Sequence, residues 1–451
     1  MAVTRRNFLA GSLGAAALGG AAGCSSVHSN GPATSSSTSG AAASGGAKAS
    51  LGKVTGTLSF AFWGGSTGEL KGFTYAKQKF EAANPGATIN LKVLPYDGFF
   101  SGIDRGIVSG TAPDVFRVDY TTIGKYSSKN VLLDVSPYFA SNEVEAFLPA
   151  LWDATKYNGV PYGVPHQTDT TCIVFDKAAL AAAGITSVPD SLENAWTWDE
   201  FTQVAQKLRA SLPANKFPFA YDWTQAGAFR WLSWLYQAGG TLLTDDLSKA
   251  ALPSPQATKA MDFTKSFFTQ KWVPSNNTIK TSVYSDNFFL NRTVAMSFIG
   301  DFLVPELADP KTGYKGEWAA TYMPRDQGAA ADLGGNAIVA LKNTKNPDLA
   351  AAFLKFLVTE DAMKYFCEQA VELPTLKSLA GSDLKYAYRP DVVGICAKQA
   401  TTISDRIVKE TTVPAFATIN TVLQDQLELA FHGQPTNATV NTIATKVNQA
   451  L

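Results

Sequence analysis

Between residues 57 and 118 the chain alternates strand, helix, strand, helix, strand, and that alternation limits its fold more than any other feature. Residues 57–62 form a short apolar run of β propensity closed by Trp63-Gly64-Gly65. From 69 to 83 the apolar residues Leu70, Phe73, Ala76 and Phe80 fall at helical spacing, and the helix stops at Asn84-Pro85-Gly86. Residues 89–94 predict the next strand, 99–109 a helix and 114–118 a third strand. Such an order builds a doubly wound α/β lobe whose binding loops follow the C-terminal ends of its strands.

The same grammar continues downstream. A strand is predicted at 171–175, a helix at 177–183 ending at Gly184, and a helix at 198–211 entered from Thr197. Residues 228–238 and 255–270 read as helices, 333–341 as a strand led by Gly334-Gly335-Asn336, and 347–370 as one helical run with Ala350, Phe353, Leu354 and Leu357 on one face. Helices at 422–431 and 440–451 flank the turn His432-Gly433-Gln434-Pro435. With 451 residues, 45% of them hydrophobic and 11% aromatic, the chain can fill two cores.

The first residues form an address label. Thr4-Arg5-Arg6-Asn7-Phe8-Leu9 has the form of a twin-arginine export signal, residues 9–22 are apolar, and Ala21-Ala22-Gly23-Cys24 closes them as a lipoprotein cleavage box does. Fourteen Gly-rich residues fall short of the roughly 20 that a membrane span needs. The Ser/Gly/Ala-rich run 25–50 is a flexible leash. The expectation is a signal peptide at 1–23, lipid on Cys24 and a tether at 24–53, with the body held outside the bacterial cell membrane. Twin-arginine export carries folded proteins, which argues against dependence on disulfides. Cys172 lies in an apolar run and reads as a buried thiol, while pairing of Cys367 with Cys396 stays open. Loss of Arg5 and Arg6 with the leader leaves 36 basic against 38 acidic residues. A balance of −2 with no Lys/Arg run excludes nucleic acid as a partner, and a monomer is expected.

Enzymatic signals are few. Gly64-Gly65-Ser66-Thr67-Gly68 fits the nucleophile-elbow pattern between a strand and a helix, and His432 would complete a Ser, Asp, His order. Against this, the elbow would follow the first strand of the body, whereas an oxyanion hole takes an N–H from an earlier strand's loop. No His or Cys pair stands at metal-ligand spacing and no Walker loop is present, so no metal and no cofactor are expected. Carboxylate pairs for glycoside hydrolysis are defined by their separation in space, which leaves an anchored glycosidase as the enzymatic alternative.

Read in order, several segments resemble the family 1 extracellular solute-binding proteins of ABC importers, the group that includes maltose-binding protein. They are Phe80-Glu81-Ala82-Ala83-Asn84-Pro85, Gly110-Thr111-Ala112-Pro113-Asp114-Val115, and Tyr162-Gly163-Val164-Pro165 leading to Val174-Phe175-Asp176-Lys177. Thr197-Trp198-Asp199-Glu200-Phe201, Ala295-Met296-Ser297-Phe298-Ile299-Gly300 and Leu373-Pro374-Thr375-Leu376-Lys377-Ser378 complete the series. The resemblance implies two α/β lobes joined by hinge strands around a ligand cleft. It divides the chain into a first lobe at 54–165 and 337–372, a second at 170–333 and 378–451, and crossings at 166–169, 334–336 and 373–377. Its function would be capture of a mono- or oligosaccharide by lobe closure and delivery to the permease of an ABC transporter, without catalysis. A polyol or polyamine receptor of the same fold is a further alternative.

A sugar presents hydroxyls around apolar C–H faces, so its site needs acceptors and donors beside flat rings. Trp63, Ser66 and Glu69 follow the first strand, Asp97 the second, and Asp119 with Tyr120 the third. Asp169 stands at the first crossing, where the resemblance implies an acidic ligand residue. Asp222-Trp223 matches another contact position of the family, and Asp301-Phe302 stands where many relatives carry a stacking tryptophan. Gly335 and Asn336 would offer an N–H and an amide at the second crossing, although glycine there is equally explained by hinge geometry. Trp198, Trp231 and Trp234 read as core, and Asp114 as a turn-fixing residue. The acid-rich set argues for a neutral ligand over a phosphate, while Arg117, Arg230 and Arg389 leave acidic sugars open.

Overall fold

The computed structural model describes residues 51–224 and 227–451. The export motif, the apolar stretch, Cys24 and the leash up to residue 50 lie outside the described residues. Among the described residues eleven strands occur in chain order: β1 (Gly56–Trp63), β2 (Ala87–Leu94), β3 (Val115–Asp119), β4 (Lys156–Tyr157), β5 (Val160–Pro161), β6 (Val164–Gln167), β7 (Thr171–Asp176), β8 (Phe217–Tyr221), β9 (Val294–Gly300), β10 (Trp318–Thr321) and β11 (Asn336–Ala340). They form a five-stranded sheet of order β2-β1-β3-β11-β6, a four-stranded sheet of order β10-β7-β9-β8, and the small ribbon β4-β5.

Period-2 alternation explains why each large sheet is covered on both faces. In β1, Leu58, Phe60 and Phe62 enter one core while Ala61 and Trp63 enter the core on the opposite face. Ile338 and Ala340 of β11 join the first of these cores, Ala337 and Val339 the second. In the other sheet, Ile173 and Phe175 face a core rich in tryptophan, and Cys172 and Val174 face away from it. Trp198, Trp231 and Trp234 all lie in that tryptophan-rich core.

Helix α1 (Thr67–Ala83) begins at a capping box in which the Ser66 hydroxyl accepts from Glu69 N–H and the Glu69 carboxylate accepts from Ser66 N–H. A Cβ on Gly68 would overlap the backbone carbonyl of Gln369, so this glycine lets α1 lie against the helix Glu360–Ala370. The G-x-S-x-G pattern therefore has a structural origin here: the serine caps and the last glycine packs.

Three expectations are corrected. The run 347–370 is two helices, Pro347–Leu357 and Glu360–Ala370, because Thr359 is extended and its side chain caps the second helix at Ala362 N–H. Residues 228–238 are a 3-10 turn, Gly227–Trp231, followed by the short helix Leu232–Gln237. Cys396 pairs with Cys172, their Cα atoms 5.5 Å apart, and Cys367 is free and buried. The residue after β7's first threonine and the helix Pro390–Ala400 share one core, which brings these two cysteines together. Among the described residues no helix is long and apolar enough to cross a membrane.

The chain leaves the five-stranded sheet after Gln167, enters the four-stranded one at Thr171, and returns between Thr321 and Asn336. These connections run side by side. Thr168 and Leu373 exchange backbone hydrogen bonds of 2.9 and 3.1 Å, and Gly334 N–H donates to Asp169 C=O at 3.0 Å. Gly335 sits at φ +96°, and a Cβ there would lie 2.5 Å from Thr168 Cα and 2.6 Å from Gln167 O. This turn starts β11 at Asn336, three residues later than the sequence pattern suggests. Gly335→Ala is expected to destabilise the protein by about 1–3 kcal/mol, the cost of a strained left-handed residue plus overlap; urea unfolding at unchanged midpoint would contradict this.

Candidate functional site

Where the two sheets face each other, a cleft of about 690 Å³, counted out to its mouth, opens over the crossing segments. It lies beyond the C-terminal ends of β1, β3 and β9, where α/β sheets place ligands. Of the residues singled out from sequence, Trp63, Glu69, Asp119, Asp169, Phe302, Gly335 and Asn336 line it together. The other six do not. Ser66 is occupied as the α1 cap, and Asp97 is exposed in the loop after β2. Tyr120 is buried, its hydroxyl donating to Gln167 C=O at 3.1 Å. Asp222 lies behind the wall, accepting from the Thr224 hydroxyl at 2.7 Å. Trp223 is fully buried, stacked on Tyr221 with centroids 4.0 Å apart. Asp301, also fully buried, accepts from Thr170 N–H at 3.0 Å.

The wall holds residues beyond those singled out from sequence, which named Arg117 and Arg230 only as leaving acidic sugars open. Arg117, Tyr96 and Gln167 line the cleft from the first lobe and its crossing, Phe229, Arg230 and Tyr284 from the second, and Glu372 from beside the third crossing. Arg117 carried a signal: two residues before Asp119 on a strand, it shares that side chain's face. Glu372, a lone charge in Val371-Glu372-Leu373, carried a weaker one. Phe229 and Tyr284 had none.

A relay of hydrogen bonds fixes the first lobe's wall. Tyr96 Oη donates to Asp119 at 2.7 Å, Asn336 Nδ2 donates to the other Asp119 oxygen at 2.7 Å, and Gln167 Nε2 donates to Asn336 Oδ1 at 2.7 Å. Beside it Arg117 pairs with Glu69 at 2.5 Å, both almost fully buried, and its guanidinium lies 4.6 Å from the Trp63 ring centroid. From the second lobe Arg230 reaches over Phe229 at 4.9 Å and Phe302 at 5.8 Å, with Nε 3.5 Å from Asp332 and Nη2 3.9 Å from Asp169. His166, buried behind the first lobe's wall and stacked on Phe73, is held neutral because burial pushes its pKa down to about 3. His432 lies far along the chain at the end of helix Phe416–Phe431, against the Glu428 carbonyl, so neither imidazole serves Ser66.

Burial dominates the acids. It pushes Asp119 up to about 6 against the opposing hydrogen bonds of Tyr96, and Asp169 up to about 7 against the attraction of Arg230. Asp301 and Glu372 are both raised well above the carboxylate range by burial, Asp301 then by the charge of Asp169 and Glu372 by those of Asp301 and Asp169.

This architecture matches a known group of proteins. The model of bacterial extracellular solute-binding proteins fits residues 64–364. The chain belongs to that family. A putative binding protein of Brucella abortus (strain 2308) is 23% identical to this solute-binding protein over 330 residues, 72% of this chain and 77% of the relative. The maltodextrin-binding protein of Bacillus subtilis (strain 168) is 24% identical over 305 residues, 66% of this chain and 65% of its own. Among solved structures, an ABC substrate-binding protein from Listeria monocytogenes in complex with cycloalternan superposes with a TM-score of 0.75 at 19% identity, covering 88% of this chain and 99% of that one. Maltose-bound MalE3 of T. maritima superposes with a TM-score of 0.73 at 20% identity, covering 88% and 100%. The two-lobed α/β fold implied by the sequence resemblance therefore holds.

The raised carboxyls make stability depend on pH. Asp119 and Asp169 have an ordinary value of 3.8 when the chain is unfolded and about 6 and about 7 when folded. Between these limits the folded state binds more protons, so their contribution is full below about pH 4 and is lost as pH rises to about 7. The melting temperature of the empty wild type, relative to Asp169→Asn, is expected to fall across that window. A difference that grows with pH would contradict the assignment.

Proposed function

We propose that this solute-binding protein is a lipid-anchored receptor that captures a mono- or oligosaccharide between its lobes and delivers it to the permease of an ABC importer. The observation that carries this reading is the composition of the cleft: polar Asp119, Asn336 and Asp169 line it together with the rings of Trp63 and Phe302. Sugars need both surfaces at once. The relatives and neighbours that bind maltodextrin, maltose and cycloalternan support it. Lobe division follows the crossings at 166–169, 334–336 and 373–377, and closure over the solute gives the permease a distinct shape to recognise. The role in this reading is binding without turnover, and engagement of Ser66 as a helix cap weighs against a serine hydrolase. Lipid on Cys24 would keep the body at the membrane, and Cys24→Ala is expected to move the protein from the membrane fraction to the medium.

A thermal-shift screen of residues 51–451 against mono- and oligosaccharides, polyols and polyamines, with product analysis of each hit, tests the reading. A saturable shift with intact ligand is expected, following RT ln(1 + [L]/Kd). A hit that is hydrolysed would establish an anchored hydrolase instead. Phe302→Ala, at a half-buried position, is expected to weaken binding roughly tenfold, equivalent to ~1.4 kcal/mol, with little change in the empty protein's melting temperature. Unchanged affinity would remove Phe302 from the ligand surface.

A further inference from the structure

Charge balance in the cleft points beyond a neutral ligand. Four carboxylates line it, Glu69, Asp119, Asp169 and Glu372, against the two guanidiniums of Arg117 and Arg230. Three more, Asp222, Asp301 and Asp332, are buried directly behind. Arg117 is paired with Glu69, Arg230 leans toward Asp332, and Asp119 receives Tyr96 and Asn336. That leaves Asp169 and Glu372, 7% and 2% exposed, each on the cavity wall with an oxygen that has no hydrogen-bond partner. Asp169 Oδ1 is 3.9 Å from Arg230 Nη2, beyond hydrogen-bond reach. Behind them Asp222 and Asp301 each hold one oxygen, and Asp332 both, in the same condition.

Resting on the reading of this cleft as the solute site, we propose that the solute is an aminated sugar whose protonated amine is seated against Asp169 and Glu372. A neutral hydroxyl would meet the acceptors alone; an ammonium meets them and lets the carboxyls ionise. A metal ion is the poorer fit, because among the described residues no three His, Cys, Asp or Glu side chains are placed to hold one. A polyamine is poorer too, since its further cations would meet Arg117 and Arg230 on the same walls. One amine among hydroxyls fits a wall that is acidic at its base, with aromatic and amide groups elsewhere. In the empty cleft Asp169 is raised by burial and by the charges of Asp332 and Asp119, against Arg230 and Arg117, so the seat holds protons that the ammonium displaces. Affinity therefore rises with pH as Asp169, raised to about 7 in the empty cleft, gives up its proton.

Matched pairs test this on the purified protein by calorimetry: glucosamine with glucose, and the disaccharide of two glucosamines with cellobiose and with its N-acetylated form. The aminated member is expected to bind at least about tenfold more tightly than its neutral partners, with proton release visible when buffers of different ionisation enthalpy are compared. Glu372→Gln and Asp169→Asn should each erase that preference; should a variant fail to fold, the wild-type pairs decide alone. Equal or tighter binding of a neutral or N-acetylated partner would overturn the amine seat and leave the sugar receptor standing. Binding of spermidine with no sugar bound, or no carbohydrate bound at all, would overturn both.

Discussion

The crossings between the lobes carry two burdens at once, and the rest of the structure follows from how they meet them. Their backbones must pair away from water, which Thr168, Leu373, Asp169 and Gly334 do with each other. Their side chains must line a cleft, which places Asp169 and Glu372 in the interior beside those same hydrogen bonds. The Thr168 hydroxyl bonds Gly334 C=O and the Thr170 hydroxyl bonds Asp332 C=O, so the polar backbone is tied off before the carboxylates are reached. Gly335 then turns the chain so that Asn336 can face Asp119 across β11 and β3.

Arginine works here as a flat surface as well as a charge. Arg117 lies against the ring of Trp63 while pairing with Glu69, and Arg230 lies over Phe229 and Phe302 while facing Asp332. Each guanidinium thus meets ring and carboxylate together, a geometry lysine does not reproduce. Each lobe holds one such assembly, and the cleft is the space between them.

Much of this was legible in the chain. Strands β1, β3 and β11 and the helix after β1 were readable because alternation and helical spacing follow from burial on two faces. The break at Val358-Thr359 escaped because Leu354, Leu357, Met363 and Phe366 keep to the core through it; only a threonine followed by Glu360-Asp361 marks the new cap. At the site, nearness to a strand's end indicated the correct end of the sheet and not the direction of a side chain. Trp63 and Asp119 turn into the cleft, whereas Ser66 is drawn back to cap a helix and Asp97 faces solvent. Phe229, Tyr284 and Glu372 arrive from segments more than a hundred residues from Asp119, and only the fold brings them there.

The distribution of charge bears on closure itself. Asp119 and Glu69 belong to strands and helices of the first sheet, Asp301 follows β9 of the second, and Asp169 and Glu372 lie between. Bringing the lobes together concentrates like charges in a shrinking, drying volume, where their repulsion grows as water leaves. An empty receptor must then either keep protons on these groups or stay apart. A ligand favours the closed form only by as much as it binds that form better than the open one. On the proposed amine seat, a cation entering between the carboxylates reverses the sign of the interaction that opposes closure, and the same cluster then holds the lobes together around the solute.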